Sequence, residues 1–246
     1  MKILDINKYA PSANLKDYID AYWSIKNISN DDVNIPVVPD GCMDIIYQDN
    51  QLFFIGAMSE AIIVSAKPSE YTFGIRFKPS ILAQFLDINV SNLTDKKLLL
   101  KDISTELFKL LSFQEKDENK KVKRLNIIFE NIFKNINFNS TVVKAVKYVN
   151  LNKGNIQIKD LEKELKLSSR QIERLFQNYI GYSPKKFCNI IRFFSLFKEL
   201  IKSYKNNLSH KAYDYGYCDQ AHLNKEFKKF SNFTPTDEIM SVFYNT

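Results

Sequence analysis

One stretch of this chain is written twice, and the repetition limits the fold more than any other feature. Laying residues 172–184 over residues 223–235 puts Phe176 on Phe227, Gly181 on Asn232 and Ser183-Pro184 on Thr234-Pro235, all at one offset of 51 residues. Ser168 falls on Asp219 at the same offset. Ser168 is a good helix N-cap, with Gln171 three residues on to complete a capping box, and Asp219 caps the second copy alone. In the first copy Ile172, Leu175, Phe176 and Tyr179 recur at helical spacing. One face therefore packs inward and leaves Arg170, Arg174 and Gln177 outside. In the second copy Leu223, Phe227 and Phe230 pack, leaving Gln220, Asn224, Lys225 and Lys228 outside. Gly181 and Asn232 are the residue types that best tolerate a left-handed helix end, and Pro184 and Pro235 follow closely. A short helix precedes each copy, from Ile158 and from His210, so each reads as helix, tight turn and outward-polar helix, the helix-turn-helix arrangement.

Around this repeat the chain divides in two. A length of 246 residues with 45% hydrophobic and 26% charged residues is globular composition at the size of two ordinary domains. The predicted boundary lies at residues 135–140, giving domains 1–137 and 138–246. The net charge of +7 is unevenly spread. Residues 1–137 hold 17 Lys and Arg against 18 Asp and Glu, whereas residues 138–246 hold 18 against 10. The excess positive charge thus lies with the repeat, as a surface that neutralises phosphates requires.

The N-terminal half reads as short β-branched and aromatic segments broken by Asn-Asp, Pro-Asp-Gly and Asp-Asn turns. Residues 18–28, 34–46, 52–55, 61–66 and 72–77 carry this pattern, which predicts a small β-barrel or sandwich. Helical periodicity follows Pro79, returns at residues 105–111 and 123–133 on either side of a charged loop at 114–121, and starts afresh at Val142. The fold class is therefore α+β, with a β-rich N-terminal domain trailed by helices and an all-α C-terminal domain holding two helix-turn-helix units. Residues 184–204, apolar on a wide face (Phe187, Ile190, Ile191, Phe194, Phe197, Ile201), form a rod between the units.

The residues of the repeat resemble the AraC/XylS family of transcription regulators. The second unit matches the family pattern from Ala212 to Lys228, with Gly216, Tyr217, Asp219, Phe227 and Lys228 in place. The first matches at Gly181, Ser183-Pro184, Phe187 and Arg192. Departures fall at Glu162, Lys166 and Lys211. The resemblance implies double-stranded DNA as partner. It places base contacts at Arg170, Glu173 and Arg174 in the first unit, and at Gln220, Ala221, His222, Asn224 and Lys225 in the second. Arg suits guanine, Gln and Asn suit adenine, and Glu accepts from cytosine. Gln177 and Lys228 complete the outward faces, Lys228 toward phosphates. Two such readers on one rod would address successive major-groove faces about one helical turn, ~34 Å, apart. The segment Val38–Tyr47, with its Pro-Asp-Gly-Cys turn, resembles a cupin-like sensor-type domain found ahead of the DNA-binding unit in some AraC-type regulators.

Within that N-terminal domain the candidate effector contacts are Trp23, Asp40, Asp44 and Arg76. Each has a plainer role open to it. Asp40 can accept bonds from backbone N–H groups in its own turn. Arg76, in an apolar strand, needs a carboxylate partner, which an aspartate can supply from within as well as a ligand can. The aromatic residues of this half are core by default. A small-molecule effector, a protein-docking or dimerisation role, and a homodimer all stay open as partners.

No cofactor or metal site is indicated. Cys42, Cys188 and Cys218 are odd in number and far apart, without zinc or disulfide spacing, which fits a reducing cytoplasm. The opening residues lack a signal-peptide core, and no apolar run reaches the ~20 residues that span a bilayer. A cysteine nucleophile, including a DNA alkyl acceptor at Cys42, is disfavoured because acids flank it and both histidines belong to the second unit. The chain therefore reads as a non-enzymatic regulator.

Overall fold

The computed structural model describes residues 3–202 and 213–235. Among these the N-terminal half contributes eight strands: β1 (Leu4–Tyr9), β2 (Ile19–Asn27), β3 (Val33–Val37), β4 (Met43–Gln48), β5 (Gln51–Ile55), β6 (Ile62–Ala66), β7 (Tyr71–Phe77) and β8 (Lys97–Leu99). Helix α1 (Ile81–Leu86) lies before β8, and α2 (Leu100–Ile103), α3 (Thr105–Leu111) and α4 (Glu118–Phe133) follow it. Six strands form one sheet in the order β1-β2-β7-β4-β5-β8, and β3 pairs with β6 in a separate ribbon. Every pairing is antiparallel.

Strand alternation gives the sheet two different faces. Tyr22, Ile45, Phe73, Ile75 and Phe77 are fully buried on one face. There they meet α4, where Phe77 packs edge-on against Phe129 at 5.3 Å and the Tyr22 hydroxyl donates to Asn126 at 2.9 Å. The intervening residues Trp23, Asp44, Ile46 and Arg76 line the opposite face, and Ile35, Val37, Ile62 and Val64 of the ribbon close over them. The two sheets thus face one another across a hollow and remain open, as a sandwich with a gap.

Strands β1 and β8 extend the sheet beyond the segments read from sequence. The charged loop expected at 114–121 is shorter than predicted, because the Asp117 side chain accepts from the Lys120 N–H at 2.9 Å and starts α4 at Glu118. Lys121 is drawn in with it. It is only 8% exposed, its ammonium lies over the Phe73 and Tyr47 rings, and burial lowers its pKa.

The second half is helical: α5 (Ser140–Leu151), α6 (Ile158–Leu165), α7 (Ser169–Tyr179), α8 (Pro184–Lys202) and α9 (Gln220–Ser231). Asn139 caps α5 by accepting from Thr141 and Val142, while its own N–H donates to the Gln84 side chain of α1 at 2.5 Å. Along α8, Phe187, Ile190, Ile191 and Phe197 are buried as the rod pattern requires. The helix expected from His210, with Lys211, and the end of the rod at Tyr204 lie outside the described residues. One apolar cluster runs without a break from the sheet face through α4 to α9.

Phe129 sits at the centre of that cluster, wholly buried against Phe77, Phe85 and Phe133. Phe129→Ala is expected to cost about 3–5 kcal/mol. The check is the shift in the urea unfolding midpoint; a shift worth less than ~1 kcal/mol would show that this contact does not hold the helices to the sheet.

Candidate nucleic-acid interface and ligand cavity

The repeat folds as its residues dictate. Ser168 begins α7, with its N–H donating to the Gln171 side chain at 2.9 Å, and Asp219 begins α9 by accepting from the His222 N–H at 2.7 Å. The two helices end alike. Gly181 at φ +98° and Asn232 at φ +65° both take the left-handed conformation. Lys166, the departure in the first turn, holds the left-handed cap of α6 at φ +53° with its N–H on the Glu162 carbonyl.

Both outward faces are clear of the core. On α7, Arg170, Glu173 and Arg174 are exposed and Gln177 is half-buried beside them, donating to Glu173 at 3.4 Å. On α9, Gln220, Ala221, Lys225 and Lys228 are exposed, while His222 and Asn224 are half-buried. Opposite these faces Ile172, Phe176, Leu223, Phe227 and Phe230 are fully buried. Phe176 packs on Phe187, and Phe227 packs on Phe193, so both readers are seated on α8.

The seat of the second reader includes an ion pair that sequence reasoning missed. Arg192 of α8 donates to Glu226 of α9 through Nε at 3.2 Å and Nη2 at 2.5 Å, with side-chain exposures of 15% and 9%. Tyr217 donates to the same carboxylate at 3.0 Å and lies beneath the guanidinium. Burial alone would lower the Arg192 pKa, but the hydrogen bonds and charge of Glu226 raise it. The available signal was a charged residue, Glu226, on the apolar face between Leu223 and Phe227.

The four effector candidates of the N-terminal half converge. Trp23, Asp40, Asp44 and Arg76 line one cavity of about 390 Å³ between ribbon and sheet, with mainly aliphatic walls that include Ile35, Val37, Ile55, Ile62 and Val64. These walls carried no distinguishing signal, because aliphatic strand residues look the same facing a core or a cavity. At the floor, Arg76 donates to Asp44 through Nε at 3.2 Å and Nη2 at 3.1 Å, and its Nη1 lies 3.2 Å from Asp40. The internal partner foreseen for Arg76 is thus two partners. Asp40 also plays its turn role, accepting from the Cys42 N–H at 2.9 Å. Burial pushes the Asp44 carboxyl up against the opposing pull of Arg76. Burial would lower Arg76, but the two aspartates outweigh it and hold the guanidinium above its ordinary value. Of the aromatics in this half, Tyr22, Phe54, Phe73 and Phe77 are core, while the Trp23 indole lies flat over Gly74, where a Cβ would fall 2.4 Å from its nitrogen.

The cavity floor is continuous with the helical half. In the Pro39-Asp40-Gly41 turn, Gly41 has φ +82°, and a Cβ there would lie 2.8 Å from the Phe187 ring. Tyr182, between α7 and α8, is 5% exposed, and burial followed by the nearby Asp40 pushes its hydroxyl pKa up. Two further contacts tie the halves at equivalent points of the repeat. Thr94 donates to the Gly181 carbonyl at 2.9 Å, and the Asn232 side chain donates to the Ala61 carbonyl at 3.3 Å. Among the described residues no group of three His, Cys, Asp or Glu is placed to hold a metal, and no helix is long and apolar enough to cross a membrane.

Two polar helix faces are set on a common rod, each behind its own tight turn, and the first, preceded by α6, completes a helix-turn-helix, which is a DNA-binding arrangement. Residues 161–238 match the family model described as a helix-turn-helix domain, and residues 7–99 match one described as a domain of unknown function (DUF6597). The C-terminal part of the chain therefore contains a helix-turn-helix domain, as the residues of the repeat implied. No protein with a curated description matches the chain significantly in sequence. Among solved structures the chain is similar to ToxT from Vibrio cholerae O395, at 16% identity over 98% of each chain with a TM-score of 0.44. It is also similar to unsaturated-fatty-acid-bound wild-type ToxT from Vibrio cholerae strain SCE256, at 16% identity over 97% of this chain and 95% of that one with a TM-score of 0.43.

Two outcomes test this geometry. Glu226→Ala leaves Arg192 buried without its carboxylate and is expected to cost about 3–5 kcal/mol in chemical denaturation, most of it recovered when Arg192→Met is added. Cys42 is held by burial, with Asp40 adding to it, well above the ordinary thiol pKa, and Cys188 is pushed by burial to about 12. At pH 8 a thiol alkylating reagent should therefore modify the exposed Cys218 first and leave Cys42 and Cys188 largely unmodified, as read by peptide mass.

Proposed function

We propose that this protein is a cytoplasmic, sequence-specific transcription regulator, with residues 138–246 reading double-stranded DNA and residues 1–137 adjusting that reading in response to a small molecule. The observation that carries the reading is the pair of exposed polar faces at equivalent positions of a structural repeat, held on one buried rod. A single exposed polar helix face is commonplace. Two of them, related by 51 residues and bearing Arg170 and Arg174 on one and Gln220, Asn224 and Lys225 on the other, match the chemistry of base edges. The N-termini of α7 and α9 and Lys228 would hold phosphates and set register.

Support for a sensing role comes from the cavity, which encloses a polar floor instead of being filled by side chains. Its lining residues adjoin the points of contact with the readers. Asp95 follows Thr94, Ile62 follows Ala61, and Asp40 precedes Gly41. A molecule that shifts these residues acts on the caps of both readers and on the start of α8. Catalysis by Cys42 is opposed by a thiol that burial and Asp40 keep protonated.

Arg174→Ala is expected to relax specificity at one base pair, at a cost of roughly 1–3 kcal/mol against the preferred base. Lys228→Ala is expected to weaken binding to all sequences alike and flatten the salt dependence by about one unit. Footprinting on genomic DNA to find bound sites, then titration at several salt concentrations, separates the two. Unchanged operator binding by Arg174→Ala would reject the assigned orientation of α7.

A further inference from the structure

The charges and donors on the cavity floor select among ligands. Arg76 engages two aspartates through Nε, Nη1 and Nη2. A guanidinium carries five N–H donors, so each Nη keeps a second hydrogen once those contacts are made. Its positive charge, by contrast, is more than balanced by two carboxylates. Each carboxylate oxygen already takes one contact, Asp44 with Nε and Nη2, and Asp40 with Nη1 and the Cys42 N–H. Beside this cluster, two residues along β7, the indole of Trp23 lies over Gly74. Its Nε1 is buried and has no hydrogen-bond partner among the described residues. The floor therefore offers hydrogen-bond donors without net positive charge. An anion placed there would gain Arg76 but face Asp40 and Asp44 within the same few ångströms. A cation would meet the guanidinium and, having no acceptor of its own, would leave the Trp23 N–H unsatisfied. A neutral oxygen satisfies the orphan donor without either penalty.

Of the charges nearer the rim, Lys96 is exposed to solvent, Glu70 accepts from the Gln48 side chain, and three more are engaged elsewhere. Lys97 bonds Gln48 and lies over Phe53, Lys8 pairs with Asp20, and Asp95 accepts from the Ser59 N–H. Beyond the floor the walls are aliphatic, from Ile46 and Ile55 on the sheet to Ile62 and Val64 on the ribbon. A volume near 390 Å³ lies in the range of small-molecule sites, roughly 300–1,000 Å³.

We propose that the cavity takes a neutral, largely apolar molecule bearing a carbonyl or hydroxyl oxygen, which accepts from Trp23 Nε1 while its body lies between ribbon and sheet. This rests on the reading of the cavity as the effector site and names the chemical class it selects.

Four probes of one chain length, octanone, octanol, octanoate and octylamine, test it on the full chain by titration calorimetry and thermal shift. Octanone and octanol should bind about tenfold or more tightly than octanoate and octylamine. Trp23→Phe, which keeps an aromatic ring over Gly74 and removes the donor, should weaken octanone about two- to tenfold. Asp44→Asn removes one of the two negative charges and should shift the preference toward octanoate. Tightest binding of octanoate or octylamine by the unaltered protein, binding of none of the four, or a ranking that neither variant moves would overturn the proposal. A genomic footprint of the ligand-free protein, taken in parallel, judges the regulator reading separately. A footprint that persists and responds to octanoate leaves that reading standing and overturns the ligand class alone, whereas no footprint at all sinks the reading whatever the cavity binds.

Discussion

A guanidinium cannot enter an aliphatic interior alone, and the placement of Arg76 sets much of what surrounds it. Its β-strand position aims it away from the aromatic core and into the gap between the sheets, where one carboxylate comes from the neighbouring strand and the other from the turn before it. The turn supplying Asp40 also contains Gly41, which is seated flush against Phe187 at the start of α8. Electrostatics at the cavity floor and packing at the foot of the helical rod are therefore two sides of a single short loop. The ribbon lies above a floor whose charged groups, Arg76, Asp40 and Asp44, are already paired with one another.

The helical half depends on shape more than on charge. Rings from two helices, α8 and α9, meet around Phe193, with Phe197, Phe227 and Phe230 within 5.2–5.7 Å of it. The Arg192 and Glu226 pair sits at the edge of this packing and adds direction, since a two-pronged contact fixes rotation about an axis that rings alone would leave freer. That is a fitting property for a helix whose outward face must be aimed.

Much of this was legible in the chain because local rules repeat. Caps at Ser168 and Asp219, left-handed ends at Gly181 and Asn232, and apolar spacing along α7 and α9 are short-range signals, and all of them agree. The strand segments at 19–27, 51–55 and 71–77 were equally plain. What escaped was long-range or too short to carry a period. Strand β8 is three residues long, and the chain itself gives no hint that Lys97–Leu99 would pair with β5. Lys121 looked like part of a solvated loop, and only the arrival of Tyr47 and Phe73 over its stem explains its burial. At the cavity, the polar residues Asp40, Asp44 and Arg76 could be singled out because a charge among apolar neighbours needs an account. The opposite wall, Ile35, Val37, Ile62 and Val64, was silent.

The two contacts from the sheet domain to the ends of the readers fall 51 residues apart on the helical side, one on each copy of the repeat. The domain that holds the cavity therefore touches the duplicated unit at both of its mirrored landmarks, much as calipers touch a rod. The span between the two helices is gauged from outside as well as set by α8 from within. Because Thr94 and Ala61 each adjoin a residue of the hollow, a displacement of its lining would bear on both helix ends together and not on one alone.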